Sequence, residues 1–489
     1  MLFLLLTSSF CIEWTVDSKF SNIKKGTLYV PLRYEEESPI NLSIPLIYTN
    51  FNATKTPILF LGPGNGYGNN PDRFEFAQQY FPENPVIFIG YRGIESTPSP
   101  KDSEFKSLTR METKNIDDRV LSKIVNKTQK GFLLTDFWIP NRAHDVLRFI
   151  HEEGLEYVHL LAVGEDGSRI AHHVAVSEPK KVVRIVMLGP SVNVPHNDTT
   201  IRLLAVIRRR CRKDPSCPFK QVKWLPKEIP KHAYGVFNVQ QEKIGFSIAH
   251  QLRNPNTIPN ALDSLQSITD GSGFGYVAVS GFSGPEMMNC VWSDYALHVC
   301  AKPTDNSIHV LPTFEKVCDY LPEIEYKTPG KIEQPMLIIN GEFDLPRPKT
   351  VLDYFRNNSV IPTIVDQIVL NYTNSKFELL RSDVIRTVLN YLNDGNTTFE
   401  IDPDQPFVWK ATLPMTKMIK WVVGSGISVS VLVTIFVYWK SNKDDFADKK
   451  EAKKEWMKKQ KLLEEQKKAL QKEKEKQQKP KKNNQKKYS

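Results

Sequence analysis

Cysteine is scarce, six in 489 residues, which is too few for a fold stapled by disulfides. Surplus charge is missing over most of the chain. The whole of the net +10 lies in residues 440–489, where 19 Lys face 9 Asp and Glu. The first 439 residues carry 46 Lys and Arg against 46 Asp and Glu. The basic character therefore belongs to the tail alone, and the body of the chain does not read as a nucleic-acid binder. Long apolar runs are missing too, apart from one, so a polytopic membrane protein is excluded. No cluster of His, Cys, Asp or Glu has metal-ligand spacing. No Lys-Ser/Thr follows the glycine-rich GPGNGYG at 62–68, so it is not a phosphate loop. No cofactor is called for. What remains is 40% hydrophobic and 25% charged, the composition of an ordinary globular protein, long enough for two or three structural units.

The single apolar run begins at Met418. It reads MIKWVVGSGISVSVLVTIFVYW, with Lys420 its only charge, and Trp421 to Trp439 covers 19 residues, close to the ~20 that span a hydrocarbon core. Trp421, Tyr438 and Trp439 fit an aromatic belt, and Lys440 and Lys443 open a basic cytoplasmic flank. A buried core helix would not have such unequal flanks. A transmembrane helix at 418–439 requires the preceding residues to be translocated, and MLFLLLTSS at the start is a short apolar run followed by small residues. Residues 1–11 are thus expected to be a signal peptide, although its charged leader is only the amino terminus. Seven glycosylation sequons, at Asn41, Asn52, Asn126, Asn197, Asn357, Asn371 and Asn396, agree with a lumenal or extracellular ectodomain.

Cys11 leaves with the signal, and five cysteines remain: Cys211, Cys217, Cys290, Cys300 and Cys318. Five is odd, so at most two bridges form and one thiol stays free. Cys211–Cys217, within RRRCRKDPSCP, is the favoured local bridge. The rival there is a zinc site, but no histidine lies at ligand spacing from the pair. The connectivity of the last three stays open.

The tail at 440–489 is rich in helix formers with Glu–Lys neighbours at helical spacing. Trp456, Leu463 and Leu470 recur every seven residues, but the matching d positions are polar, which argues against a coiled coil. A solvated charged helix is the plain reading. The functional one is a surface for anionic lipid, RNA or an acidic protein complex. The closing KKYS resembles the dilysine retrieval signal of endoplasmic-reticulum membrane proteins, so that membrane or the plasma membrane is the expected location.

Between residues 57 and 400 short apolar runs alternate with helical patterns, the signature of a mostly parallel sheet with helices on both faces. Runs at 57–61, 85–89, 158–163, 183–188, 335–339 and 367–371 read as strands. From about 195 to 330 the rhythm is lost, as an inserted helical lid would cause. Four local features follow successive strands in order: GPGNGYG (62–68), GYRGIES (90–96), AVGEDGSRIAHHVA (162–175) and INGEFDLPRP (339–348). In that order they resemble the α/β-hydrolase fold, and within it the prolyl-aminopeptidase and tripeptidyl-aminopeptidase group of serine peptidases. That group has an HGGPG oxyanion turn, a DQRG segment, a GGSYGG nucleophile elbow and a strand ending in an acid. EPKKVVRIVMLGPS is similar to the group's segment after the elbow helix, and the Cys211/Cys217 pair to its lid. The resemblance covers about residues 25–395 and implies an α/β-hydrolase ectodomain at 25–400.

It also implies chemistry that these residues do not supply. The elbow pattern G-x-S-x-G exposes a serine on a sharp strand-to-helix turn. Aligned here are Gly164, Glu165, Asp166, Gly167 and Ser168, which put Asp166 at the nucleophile position. An aspartate nucleophile exists on this fold in the epoxide-hydrolase and haloalkane-dehalogenase branches, so Asp166 alone leaves hydrolysis open. Asp344 stands where the resemblance places the triad acid. The histidine should follow the last strand, within 371–380, and that stretch has Ser375 and Lys376 instead. No histidine occurs after His309. Without a base near pH 7 neither a serine nor an aspartyl-ester route turns over efficiently. The oxyanion turn is altered as well: FLGPG (60–64) replaces HGGPG, leaving Gly62, Pro63, Gly64 and Gly167 as the oxyanion-type loop. Of the other histidines, His144, His151, His172 and His173 read as structural or exposed. His298 and His309 are the candidates for a relocated base.

Two functions centre on the ectodomain. One is a single-pass type I glycoprotein whose peptidase-like ectodomain has lost catalysis and binds a peptide or protein, its tail contacting an anionic partner. The other is an active peptidase-family hydrolase built on Asp166 and Asp344. A third makes the tail the working part and the ectodomain its anchor.

Overall fold

A computed structural model describes residues 12–35, 40–63, 74–96, 133–190, 200–223, 258–269, 329–344, 347–370 and 381–395, together with Arg119, Ser122, Val192, Leu252 and Trp409. The chain divides into two units, Met1–Pro414 and Met415–Ser489, and every described residue belongs to the first. The signal segment, the span at 418–439, the tail, most of the lid, Gly64, Asn126, Asn197, Asn371, Asn396, Cys290, Cys300, Cys318, His298, His309 and Lys376 lie outside the described residues. Among the described residues no helix is long and apolar enough to cross a membrane.

Among the described residues nine strands form one sheet. The first three are β1 (Glu13–Val16), β2 (Ile23–Pro31) and β3 (Asn41–Thr49). They pair antiparallel, and β3 runs antiparallel to β5 (Val86–Ile89). From β5 onward all pairs are parallel, in the order β5, β4 (Ile58–Leu61), β6 (Val158–Val163), β7 (Val182–Leu188), β8 (Met336–Gly341), β9 (Val365–Leu370). A mostly parallel sheet opened by three strands in antiparallel pairing, with the chain passing from β4 to β5 and then back across β4 to β6, is the α/β-hydrolase topology. The first described strand begins at Glu13.

The central strands are buried on both faces, which is why their sequences read as unbroken apolar runs. Successive side chains of β6 point to opposite sides. Leu160 and Ala162 pack with Phe149 and Ile150 of helix α2 (Ile139–Glu152) and Ile170 and Val174 of α3 (Gly164–Ser177). Leu161 and Val163 pack with Ala77 of α1 (Phe74–Tyr80) and with a helix, Ser382–Asp394, that closes the other face through Val384 and Val388. The N-terminal strands are pinned to α2 by one acid: Glu153 accepts from the Trp14 indole at 2.7 Å and pairs with Lys24, whose ammonium sits 4.3 Å from the Trp14 ring centroid.

Of the lid, the described parts are α4 (Thr200–Lys213), the knuckle that follows it to residue 223, Leu252, and α5 (Ile258–Thr269). The expected Cys211–Cys217 disulfide is present. Beyond β8 come α6 (Pro348–Asn357) and, after β9, the closing helix Ser382–Asp394, here α7.

Candidate functional site

In an open parallel sheet a ligand site forms outside the carboxyl ends of the strands where the order reverses. Here that point is β4, with β5 on one side and β6 on the other. The turn after β4 and the start of α3 therefore define the candidate site. The two touch closely. A β-carbon on Gly167 would lie 2.4 Å from the Leu61 carbonyl oxygen and 2.9 Å from that of Gly62, so only glycine permits this approach. The Asp166 amide donates to the Pro63 carbonyl at 3.4 Å, and the Tyr91 hydroxyl donates to the Gly62 carbonyl at 2.9 Å.

The sharp strand-to-helix turn falls on Gly164, with φ +67°, directly after Val163 in extended conformation. Among the described residues the only non-glycine with positive φ is Asn50. Asp166 is two residues beyond the turn, inside the first turn of α3. The alignment of Asp166 with the elbow serine thus differs from the backbone, in which the strained residue has no side chain. Ser168, also in that first turn, is buried and donates to the Glu165 carbonyl at 2.8 Å.

The Asp166 carboxylate is buried, and among the described residues its ion-pair partner is an arginine. Its Oδ2 accepts from Nη1 of Arg142, on α2, at 2.7 Å, and Arg142 is 1% exposed. Arg142 also donates to the Arg92 carbonyl at 3.3 Å and lies 5.4 Å from the Tyr91 ring centroid. Behind it stands a second buried pair. Arg92, fully buried in the GYRG turn, forks onto Asp145 with Nε to Oδ2 at 2.6 Å, and donates to the carbonyls of Leu32 and Asp136. Tyr34 donates to Asp145 at 2.7 Å, and Arg33 forks onto Asp136 at 2.8 and 3.2 Å. Burial opposes the Arg92 charge, but Asp145 beside it outweighs that and holds its pKa above the ordinary arginine value. Burial, with the Asp145 charge adding to it, raises the Tyr34 pKa, keeping the phenol a donor. Three arginines thus answer three aspartates, the condition under which buried charge is tolerated. Sequence reasoning missed this set. The available signal was Arg142 and Asp145 standing in the apolar stripe of α2 beside Ile139, Val146 and Phe149.

Asp344 is also buried, four residues after Asn340 at the end of β8. Its Oδ2 accepts from the Gly341 amide at 2.7 Å and from the Asn340 amide at 3.2 Å, and Gln367 of β9 holds Asn340 at 2.8 Å. The carboxylate braces its own strand end. Next to it, Glu342 accepts two bonds from Arg210 of α4, at 2.7 and 2.9 Å.

The described histidines are elsewhere. His172 is eight residues along α3 from Gly164, about 12 Å at the helical rise. Its Nε2 is 3.0 Å from the Gly330 carbonyl, and its ring packs against Tyr354 and Phe355. Burial lowers its pKa. Burial lowers His173 to about 4, helped by His172 and His144, so it is neutral at pH 7. His144 packs edge-on to Tyr34, and His151 meets Glu178 at 2.8 Å on the half-open surface of α2. His159, buried in β6 and unremarked in the sequence, is likewise lowered to about 4, by burial and then by Arg184. Among the described residues no group of His, Cys, Asp and Glu is arranged to hold a metal ion. Asn41, Asn52 and Asn357 are exposed.

No protein-family model matches the chain, and no curated protein matches it. Among solved structures it is similar to a serine hydrolase from the polyaromatic-hydrocarbon-degrading bacterium Cycloclasticus zankles, at 12% identity over 76% of this chain and 98% of that one, with a TM-score of 0.36. It is also similar to 2-hydroxy-6-oxo-6-phenylhexa-2,4-dienoate hydrolase from Rhodococcus sp. strain RHA1, at 12% identity over 78% and 99%, with a TM-score of 0.37. A third is a probable hydrolytic enzyme from Pseudomonas aeruginosa PAO1, at 10% identity over 75% and 93%, with a TM-score of 0.36. At that distance nothing about the chemistry of this chain follows from theirs.

Proposed function

We infer that the ectodomain is a catalytically silent α/β-hydrolase-fold module that binds a peptide or protein. It belongs to a single-pass type I glycoprotein of a secretory-pathway membrane, with a basic cytoplasmic tail for an anionic partner. The observation that carries the loss of catalysis is the pairing of Gly164 with Asp166. The strained turn that should expose a nucleophile holds a glycine, and the nearest carboxylate is neutralised by Arg142. An aspartyl nucleophile needs a carboxylate oxygen free to attack, and a base to activate water on the ester that forms. Asp166 instead gives an oxygen to a guanidinium, Ser168 bonds within its own helix turn, and the sequence after His309 holds no histidine. The order of the GPG, RG and GEFD segments favours the aminopeptidase branch as the source of the scaffold. A peptide with a free N-terminus is therefore the first ligand to try.

The test is hydrolysis by the detergent-solubilised full chain on aminoacyl-, prolyl- and tripeptidyl-amides and simple esters, beside Asp166→Asn. Rates at the blank level in both proteins, with no labelling by a fluorophosphonate, are expected. Turnover by the native chain that disappears in Asp166→Asn would overturn the reading and restore Asp166 and Asp344 as the working pair.

A further inference from the structure

Three of the seven sequons, at Asn41, Asn52 and Asn357, lie among the described residues, each with its asparagine exposed. Exposure lets an asparagine carry a bulky glycan. Receiving one is a stricter condition, because the acceptor is Asn-x-Ser/Thr and the hydroxyl two residues on is part of what is read. The three sequons differ in where the fold puts that hydroxyl.

Asn357 ends α6, and Ser359 behind it is 2% exposed. The Ser359 hydroxyl donates to the Phe355 carbonyl at 2.7 Å. The backbone around it is stitched to residue 332: the Ile332 amide donates to the Asn358 carbonyl and the Val360 amide to the Ile332 carbonyl, both at 2.8 Å. Asn41 opens β3 opposite Pro31 of β2, and Leu42, between Asn41 and Ser43, is wholly buried. Drawing either sequon into an enzyme's pocket undoes core contacts and backbone bonds.

Asn52 is placed differently, in the turn between β3 and β4. Both Asn52 and Thr54 are exposed. The root of the turn is held from inside by Asn50, at φ +50°. Its side chain accepts from that of Asn22 at 2.7 Å and donates to the carbonyls of Phe81 and Asn84 at 2.9 and 3.2 Å. Residues 52–54 thus stand out from a fixed base, and such surface turns are where a folded domain admits modifying enzymes.

We propose that, of these three sequons, Asn52 alone is an acceptor in the finished fold, while Asn41 and Asn357 are acceptors only until β3 and the loop after α6 close over their hydroxyls. This rests on the translocated-ectodomain reading above. The donor is an oligosaccharide on a lipid diphosphate. The asparagine amide nitrogen bonds to C1 of the sugar, the C1–O bond to phosphate breaks, the lipid diphosphate leaves, and the amide proton passes to the transferase. Occupancy at Asn41 and Asn357 is therefore set by a race between transfer and folding, and occupancy at Asn52 is not.

The experiment uses the full chain made in secretory cells under tunicamycin, which blocks donor synthesis, then solubilised in detergent and kept only if it unfolds cooperatively on heating. Purified oligosaccharyltransferase and a lipid-diphosphate oligosaccharide are added, and transfer is read site by site by mass spectrometry. Synthetic peptides covering each sequon give the rate for an open acceptor. Asn52 in the folded chain should match its peptide. Asn41 and Asn357 should be slower than theirs by about tenfold or more, since buried, hydrogen-bonded backbone must open first. Reducing, alkylating and unfolding the same chain should bring both back toward the peptide rates. In Asn52→Gln the folded chain should accept no glycan at the other two. Transfer to Asn357 in the folded chain at its peptide's rate, or an Asn52 as slow as Asn357, overturns the proposal alone. A chain made without tunicamycin that carries no glycan at any of the seven sequons overturns the translocated-ectodomain reading, and the proposal with it.

Discussion

Replacing Arg142 with methionine keeps most of its length and removes its charge, leaving Asp166 as a buried carboxylate without its ion-pair partner. Breaking one side of such a pair costs about 3–5 kcal/mol, a large part of the roughly 5–15 kcal/mol that holds a domain folded. At about 1.4 kcal/mol per decade the folding constant falls by two to three and a half orders of magnitude. The loss should depend on pH with a definite sign. Without the guanidinium, burial raises the folded-state pKa of Asp166 above its unfolded value of about 3.9. The penalty is then complete above the raised folded pKa and disappears below the unfolded one. The assay is urea unfolding of the solubilised chain followed by tryptophan fluorescence, with native and variant proteins compared at each pH from about 8 down to about 4, the window in which a raised carboxylate titrates. The deficit should shrink steadily as pH falls. Adding Asp166→Leu should recover most of it at neutral pH, since an apolar pair replacing a buried ion pair is neutral or stabilising. A deficit below about 1 kcal/mol, the size of an exposed ion pair, would refute the reasoning. So would a deficit constant across the pH range, or a double variant as unstable as the sum of the single ones.

Two other substitutions follow from the same geometry. Gly167→Ala places a methyl 2.4 Å from a backbone oxygen, where no flexible neighbour can yield, so a loss of about 1–3 kcal/mol or more is expected from overpacking; an unchanged thermal midpoint would contradict the contact between α3 and the β4 turn. Cys211→Ser with Cys217→Ser opens a short loop, sequence separation 6, worth about 2 kcal/mol by loop entropy. Because the Trp409 contact is seated on that loop, limited proteolysis should also cut faster near residue 409 in the double serine variant, and equal cutting rates would count against the coupling.

The parallel half of the sheet was legible because strands buried on both faces cannot alternate, and ILFL, VIFI and VHLLAV stand out as continuous apolar runs. The antiparallel start was not. IKKGTLYVP and NLSIPLIYT mix inward Leu28, Val30, Leu42 and Ile44 with lysines, a glycine and a proline, and the ladder between them supplies what the pattern lacks. The disulfide was readable from its spacing alone. The elbow holds a detail that the pattern does not carry. With glycine at both 164 and 167, the pattern does not say which one makes the turn, and the backbone puts the positive φ on Gly164 and the close packing on Gly167. The arginine–aspartate set was invisible because charged residues on a helix are ordinarily assigned to solvent. Only the meeting of the GYRG turn, α2 and α3 makes Arg92 and Arg142 interior.

If the ectodomain is catalytically silent, as proposed above, the glycine at the turn and the ion pair behind it also bear on how the scaffold can change. A serine at position 164 would restore a hydroxyl to the strained turn but not a base, and Asp166 would remain bound to Arg142 two residues away. A histidine placed after β9 would have no nucleophile to serve. Each step toward chemistry is without effect until the others are in place, while removal of Arg142 or Asp166 alone weakens the fold. On the proposed reading of a silent site, the two features together act as a ratchet: drift in the loops around the site leaves the module folded, and no single substitution restores chemistry.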